Sequence, residues 1–309
     1  MTDKSSAKKI FIDGEAGTTG LQIREQLAGR ADITLVSIAP EKRKDVEAKR
    51  EILASVDIVV LCLPDAASKE TVAMVESLGE RGPRVLDAST AHRVAPGWTY
   101  GFPELAAGQG EAVAKARFVA NPGCYATGAI AMLRPLTDAG LIAADQFLAL
   151  NAISGYSGGG RQMIEDYEAG KGQPFELYAL GLEHKHIPEI MAYGRVTRRP
   201  IFVPSVGAFK QGMLVSLPLS LDDLPGKPLA GALQAALAEH YAGSRFVRVV
   251  DAEANGKLEP QALNGTNQLD LRVFANEALR QAVIVARLDN LGKGASGAAV
   301  QNLELMLGL

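Results

Sequence analysis

Cys124 stands in Asn121-Pro122-Gly123-Cys124-Tyr125-Ala126-Thr127, where Pro122 and Gly123 break the chain and a helix starts at or just beyond the thiol. A thiol in the first turn of a helix feels unpaired amides and the positive end of the dipole, which stabilise its thiolate. The only other cysteine, Cys62, lies inside Ile58-Val59-Val60-Leu61-Cys62-Leu63 and reads as a small buried hydrophobe. A nucleophile needs a proton acceptor. Of the four histidines, two stand together in Glu183-His184-Lys185-His186-Ile187-Pro188-Glu189. A His-x-His pair can be a fragment of a metal site, but no matching ligand cluster accompanies it and neither cysteine has a Cys-x-x-Cys setting, so no metal is expected. A base that deprotonates Cys124 and later donates a proton to an oxyanion is the better use.

Two further segments carry polar chemistry. Ser154-Gly155-Tyr156-Ser157-Gly158-Gly159-Gly160-Arg161 offers hydroxyls, amides and a guanidinium suited to a phosphate or carboxylate. Asp87-Ala88-Ser89-Thr90-Ala91-His92-Arg93 follows a strand end, which in an open α/β sheet faces the cofactor crevice. His240, on an apolar-spaced helix, reads as structural.

A nucleotide turn is also present. Lys9 to Asp13 reads as a short buried strand running into Gly14-x-x-Gly17-x-x-Gly20 and then into Leu21 to Leu27 with helical apolar spacing. Glycines there allow a tight turn and close approach of a pyrophosphate to the amides of Thr18, Thr19 and Gly20. NAD enzymes place an acid after the second strand to hold the ribose 2′-hydroxyl. Here Ile33 to Ile38 ends in Ser37-Ile38-Ala39-Pro40, followed by Glu41-Lys42-Arg43-Lys44. With no acid at the strand end and cations nearby, a 2′-phosphate is better accommodated, by Ser37, Lys42 and Arg43; NADP is the expected cofactor.

These groups must be held by a framework. Strand-like runs at Ile33 to Ile38, Val56 to Leu63 and Arg84 to Leu86 alternate with helix-compatible stretches such as Ala67 to Leu78, which implies an α/β, doubly wound parallel sheet over the first ~120 residues. After Cys124 a helix is expected from Tyr125 to Ala139. Denser runs follow at Phe147 to Ile153, Ile201 to Phe209, Met213 to Leu221, Phe246 to Val250, Gln268 to Val273 and Ala282 to Leu288. They imply an α+β second domain with a mixed sheet. Helices are expected at Leu229 to Tyr241 and Ala298 to Leu307.

Composition narrows the function. A formal net charge of −3 and pI near 5.9 give no bulk attraction to nucleic acid or to an anionic membrane. No apolar run reaches the ~18–20 residues of a membrane span, and Met1 to Lys9 is polar with no signal-peptide core behind it. Two distant cysteines fit a reducing compartment, so the cytoplasm is expected.

With these residues in hand, the chain resembles the N-acetyl-gamma-glutamyl-phosphate reductases of arginine biosynthesis, particularly their shorter form. The carriers are the Gly14 to Gly20 turn, Asp87 to Arg93, Asn121 to Tyr125, Ser154 to Arg161, His184 to Glu189, and Asp289-Asn290-Leu291-Gly292-Lys293-Gly294-Ala295-Ser296-Gly297. Ala126 stands where the longer form commonly has proline. The resemblance implies reduction of an acyl phosphate through a Cys124 thioester, with NADPH as hydride source. It puts the catalytic histidine at His186 or His184, with His186 preferred. It assigns Arg93 and Arg161 to phosphate or carboxylate, Ser157 and Asn121 to the neighbourhood of the thiol, and Ser89 and Asn290 to the cofactor. It further implies that the last helix returns to the nucleotide domain, giving domains of 1–121 with 289–309, and 122–288. A homodimer or homotetramer through the second sheet is expected. A semialdehyde dehydrogenase acting on aspartyl phosphate or a carrier-bound amino-acid phosphate is the alternative enzyme, and a dinucleotide sensor without chemistry is the alternative class.

Overall fold

The computed structural model describes residues 7–42 and 45–309, in two units. The first comprises Met1–Pro103, Gly108–Asn121 and Ala298–Leu309; the second comprises Glu104–Ala107 and Pro122–Gly297.

In the first unit, short branched apolar runs make six parallel strands: β1 (Lys8–Asp13), β2 (Ile33–Val36), β3 (Ile58–Leu61), β4 (Arg84–Asp87), β5 (Thr99–Tyr100) and β6 (Phe118–Ala120). Their order is β2-β1-β3-β4-β6-β5. Parallel strands are covered on both faces, so they read as continuous apolar runs. Accordingly Ile10, Ile12, Ile58 and Val60 join one buried cluster, and Phe11, Val59 and Leu61 join the opposite one. Helices α1 (Thr18–Leu27) and α4 (Gln109–Lys115) serve the first face, and α2 (Val46–Leu53) and α3 (Asp65–Ser77) the second. Arg43, expected near the 2′-phosphate, lies outside the described residues.

The second unit is built on α5 (Cys124–Asp138) and a sheet of β7 (Ala149–Gly155), β8 (Phe175–Leu177), β9 (Ile201–Gly207), β10 (Met213–Ser220), β11 (Val247–Val249), β12 (Leu269–Asn276) and β13 (Gln281–Leu288). The order is β11-β12-β13-β10-β7-β9-β8, with β7–β9 and β11–β12 parallel and the other pairs antiparallel. This is the mixed sheet the sequence leads one to expect. Helices α6 (Arg161–Glu168), α7 (Ile187–Gly194) and α8 (Ala230–His240) complete the unit. Helix α5 lies on β10 and β13 at backbone range: a Cβ on Gly128 would stand 2.9 Å from Val215 Cγ2. On β13 the alternation is plain, with Ala282, Ile284, Ala286 and Leu288 buried and Val283 on the other face. That other face carries an open groove of about 680 Å³ whose walls include Phe175, Leu177, Val203, Leu214, Phe274 and Val283.

A π-helical turn, Gly292–Ser296, leads into α9 (Gly297–Leu307). Ala299, Leu303 and Met306 of α9 join the Ile10 cluster of the first unit. One guanidinium closes two helix ends there: Arg84 donates to the carbonyls of Val113 and Ala114 in the last turn of α4, to that of Ala116 just beyond it, and to that of Met306 in α9. Among the described residues no helix is long and apolar enough to cross a membrane.

Candidate active site

In the first unit the glycine-rich turn is shaped by steric exclusion. Gly14 has φ +91°, and a Cβ on it would stand 2.3 Å from the Cys62 carbonyl oxygen. A Cβ on Gly20 would stand 2.4 Å from the Gly14 oxygen, so the third glycine lets α1 descend onto the turn. Gly17 is the N-cap of α1 and supplies no side chain to close it. The amides of Thr18, Thr19 and Gly20 therefore stand at the positive helix end without intrahelical acceptors, a cradle that fits a pyrophosphate. Ser37 falls one residue beyond β2, where its hydroxyl donates to Glu15 Oε2 at 2.9 Å and accepts from Arg24 at 2.9 Å. Lys42 is exposed in the turn Pro40–Lys42.

Beyond β4 the same unit holds a dense polar loop. Asp87 is fully buried and accepts from Ser68 Oγ (3.1 Å), Ser89 N (2.9 Å) and Ser89 Oγ (2.8 Å), and pairs with His92 Nδ1 at 2.5 Å. The His92 ring stacks on Trp98 at 4.1 Å. Arg93 is buried and donates through Nε to the Asn121 carbonyl at 3.0 Å, while the Asn121 side-chain oxygen accepts from Asn302 at 3.0 Å. Ser89, Arg93 and Asn121 are thus tied into one hydrogen-bonded network at the ends of β4 and β6.

In the second unit Cys124 is the first residue of α5. Its N-cap, Gly123, brings no capping side chain, so the positive helix end favours negative charge on Sγ. The Gly123 amide donates to Glu189 Oε2 at 3.1 Å, and Glu189 is almost wholly buried in the first turn of α7. His186 is the N-cap of α7, and its backbone amide donates to Nδ1 of His184 at 3.1 Å. The proton of a neutral His184 ring therefore sits on Nε2. The two rings lie 4.6 Å apart and meet the Tyr125 ring at 5.7 and 5.9 Å. Tyr178 donates to the Tyr125 hydroxyl at 3.0 Å, and Tyr125 donates to the Ser205 carbonyl at 3.0 Å. Burial pushes the Tyr178 phenol up to about 12, and negative charge on Cys124 adds to that rise. Burial likewise raises Tyr125, with Tyr178 and then Cys124 adding to it. Both phenols thus stay protonated donors beside the thiol.

Ser157 and Asn290 also meet. The Asn290 amide donates to Ser157 Oγ at 2.9 Å and accepts from the Gly212 amide at 2.8 Å. Arg161 is instead exposed and paired with Glu165 at 2.7 Å. The π-helical turn lies against the nucleophile: a Cβ on Gly294 would stand 2.8 Å from Cys124 Cβ. Its Lys293 is 1% exposed and lies 2.8 and 2.9 Å from the two Glu104 oxygens. Burial lowers Lys293, and the Glu104 charge and hydrogen bonds oppose that fall. Such π-turns are frequent at functional sites.

Sequence reasoning did not single out Glu15, Arg24, Glu104, Tyr125, Tyr178, Glu189 or Lys293. Glu189 had a usable signal, an acid inside the apolar run Ile187-Pro188-Glu189-Ile190-Met191. Glu104, Tyr125, Tyr178 and Lys293 had none, because their partners are distant in the chain.

Residues 10–113 match the semialdehyde dehydrogenase NAD binding domain, and residues 124–290 match the semialdehyde dehydrogenase dimerisation domain. Over 308 residues the chain is 53% identical to the N-acetyl-gamma-glutamyl-phosphate reductases of Brucella ovis and Brucella melitensis, covering 97% of this chain and 99% of each relative. Among solved structures it is similar to aspartate semialdehyde dehydrogenase II of Vibrio cholerae complexed with ASA, with TM-score 0.73, 17% identity, and 98% and 99% of the two chains covered. Aspartate semialdehyde dehydrogenase with NADP from Candida albicans gives TM-score 0.67 and 16% identity, again over 98% and 99%. At such identities the likeness speaks for the fold alone.

Proposed function

The chain belongs to the N-acetyl-gamma-glutamyl-phosphate reductase family, and on that premise we propose that it reduces N-acetyl-L-glutamyl 5-phosphate to N-acetyl-L-glutamate 5-semialdehyde, with NADPH, in arginine biosynthesis. The Cys124 thiolate attacks the acyl carbon, the carbon–oxygen bond to phosphate breaks, and phosphate leaves with the electron pair, giving a thioester. When bound, NADPH supplies the hydride for that carbon. The carbon–sulfur bond then breaks, its electron pair returns to Sγ, and the aldehyde departs.

His186 takes the Sγ proton as the thiolate forms and, as imidazolium, faces the oxyanion that develops at the acyl carbon. His184 is the poorer base. Its Nδ1 accepts the His186 amide, so its Nε2 already carries the proton in the neutral ring. Glu189 holds the residue before the nucleophile through the Gly123 amide. The amides of Thr18, Thr19 and Gly20 would hold the pyrophosphate, with Ser37 and Lys42 toward the ribose and Ser89 and Asn290 completing the cofactor contacts. Arg93, Asn121 and Ser157 would contact substrate, and Arg161 would exchange Glu165 for a substrate anion. The apolar groove on the second sheet, with the match to a dimerisation domain, supports a homodimer or homotetramer built there. Two unbridged cysteines fit a cytoplasmic home.

The observation that carries this reading is the thiol at the start of α5, beside one buried phenol, one half-buried phenol and a histidine pair. The test is phosphate-dependent reduction of NADP with N-acetyl-glutamate semialdehyde, beside aspartate semialdehyde. Turnover of the acetylated compound and its loss in Cys124→Ala are expected. Preference for the aspartate compound overturns the substrate, and turnover in Cys124→Ala overturns the mechanism.

A further inference from the structure

The end of β2 is where an open α/β sheet meets the adenosine ribose of a dinucleotide. Three side chains converge at that point. Arg24 of α1 lies 2.5 Å from Glu15 Oε2 and 2.9 Å from Ser37 Oγ, through the same Nη1 atom, and Ser37 Oγ lies 2.9 Å from the same Glu15 oxygen. Both charged groups are within reach of solvent, with side-chain exposures of 44% for Arg24 and 19% for Glu15. The turn itself calls for no side chain at position 15, since pyrophosphate recognition there uses backbone. Nor does α1 need Arg24 for packing, since its buried residues are Gly20, Ile23 and Leu27.

The two charges ask for opposite ligands. A carboxylate at this point accepts a hydrogen bond from a ribose 2′-hydroxyl. A guanidinium binds a phosphate through two parallel hydrogen bonds, which a lysine cannot copy. A 2′-phosphate and Glu15 are thus rival anions for one guanidinium, and the Ser37 hydroxyl can donate to either.

We propose that Glu15 and Arg24 together set the preference at the ribose 2′ position: Arg24 exchanges Glu15 for the 2′-phosphate, and Glu15 is the internal competitor that limits how tightly that phosphate is held. The ion pair keeps Arg24 beside Ser37 before the nucleotide arrives, so the guanidinium is already positioned for it. The inference rests on the NADPH reading above and names residues that reading did not use.

The probes are adenosine 2′,5′-bisphosphate and 5′-AMP, titrated calorimetrically into the full-length chain. The wild type prefers the bisphosphate. In Arg24→Gln that preference falls by roughly tenfold or more, the scale of a lost charge-assisted pair, while 5′-AMP binding is kept. In Glu15→Gln the preference rises, because bisphosphate binds more tightly and 5′-AMP more weakly. Arg24→Lys, which keeps charge without the fork, falls between wild type and Arg24→Gln and serves if the glutamine variant does not fold. A wild type without preference for the bisphosphate overturns the NADPH reading and this inference with it. A preference kept in both Arg24 variants overturns this inference and leaves NADPH standing. Equal weakening of both ligands in every variant makes the triangle a structural latch and also overturns it.

Discussion

Lys293→Met tests whether the π-helical turn is held by its buried ion pair. The ammonium lies 2.8 and 2.9 Å from the Glu104 oxygens, and the two side chains are 1% and 10% exposed. It also sits 5.3 Å from the Phe246 ring centroid, so the surroundings offer little water to replace a lost partner. Removing one member of a buried pair leaves the other charge uncompensated, which costs about 3–5 kcal/mol. For a unit of this size that is roughly 10 °C in Tm. Glu104→Gln should cost less, since the amide oxygen still accepts from Nζ. The double variant removes both charges and should be no worse than Lys293→Met alone, giving a coupling energy of at least about 1.5 kcal/mol. Thermal melts provide the cycle, and hydrogen exchange over residues 290–297 localises it. Because Gly294 lies against Cys124, alkylation of that thiol should also change rate in Lys293→Met. Strictly additive single variants, or a Lys293→Met melt within about 2 °C of wild type, would refute the clamp.

Burial raises the Cys62 thiol to about 12, so at pH 8 only about one molecule in 10⁴ carries its thiolate, roughly three orders of magnitude below an ordinary thiol. Iodoacetamide mapped by mass spectrometry should therefore label Cys124 alone at pH 8, with Cys62 rising as pH climbs toward 12; equal labelling would contradict both assignments. His186→Gln should lower kcat strongly and remove the acid limb of the pH profile, whereas His184→Gln should keep that limb. An unchanged profile in His186→Gln would move the base elsewhere. Gly294→Ala pushes a methyl to within 2.8 Å of Cys124 Cβ, so turnover should fall while 5′-AMP binding is kept. Arg84→Met strands carbonyls at the ends of α4 and α9 and should destabilise the first unit by about 2–4 kcal/mol, read by Trp98 fluorescence in urea.

The fold was legible where packing imposes a pattern. Strand β3 shows an uninterrupted apolar run because both of its faces are covered, and β13 alternates because one face meets α5. Elements that bury little left no such trace. Helix α6 is an eight-residue polar segment with no buried residue, and β8 is three exposed residues at a sheet edge. Half of helix α2 is charged, and its N-terminus is fixed by Asp45 accepting from the amides of Glu47 and Ala48. Helix α7 carries a start signal in Pro188, but at eight residues it is too short to show a sustained helical period.

The site divides along a different line. A thiol after a Pro-Gly break announces itself, because the break and the helix start are consecutive in sequence. What sets the state of the groups around it is not consecutive. Lys293 finds Glu104 from 189 residues away, and Glu189 reaches the Gly123 amide across 66. Even within the His-x-His run, the roles do not follow from spacing. One hydrogen bond distinguishes the two rings: the His186 amide donates to Nδ1 of His184 and thereby decides where that ring, when neutral, keeps its proton. Residue type suggests that a base is present; the backbone turn between the two rings is what engages the unprotonated nitrogen of His184, and on the proposed mechanism that favours His186.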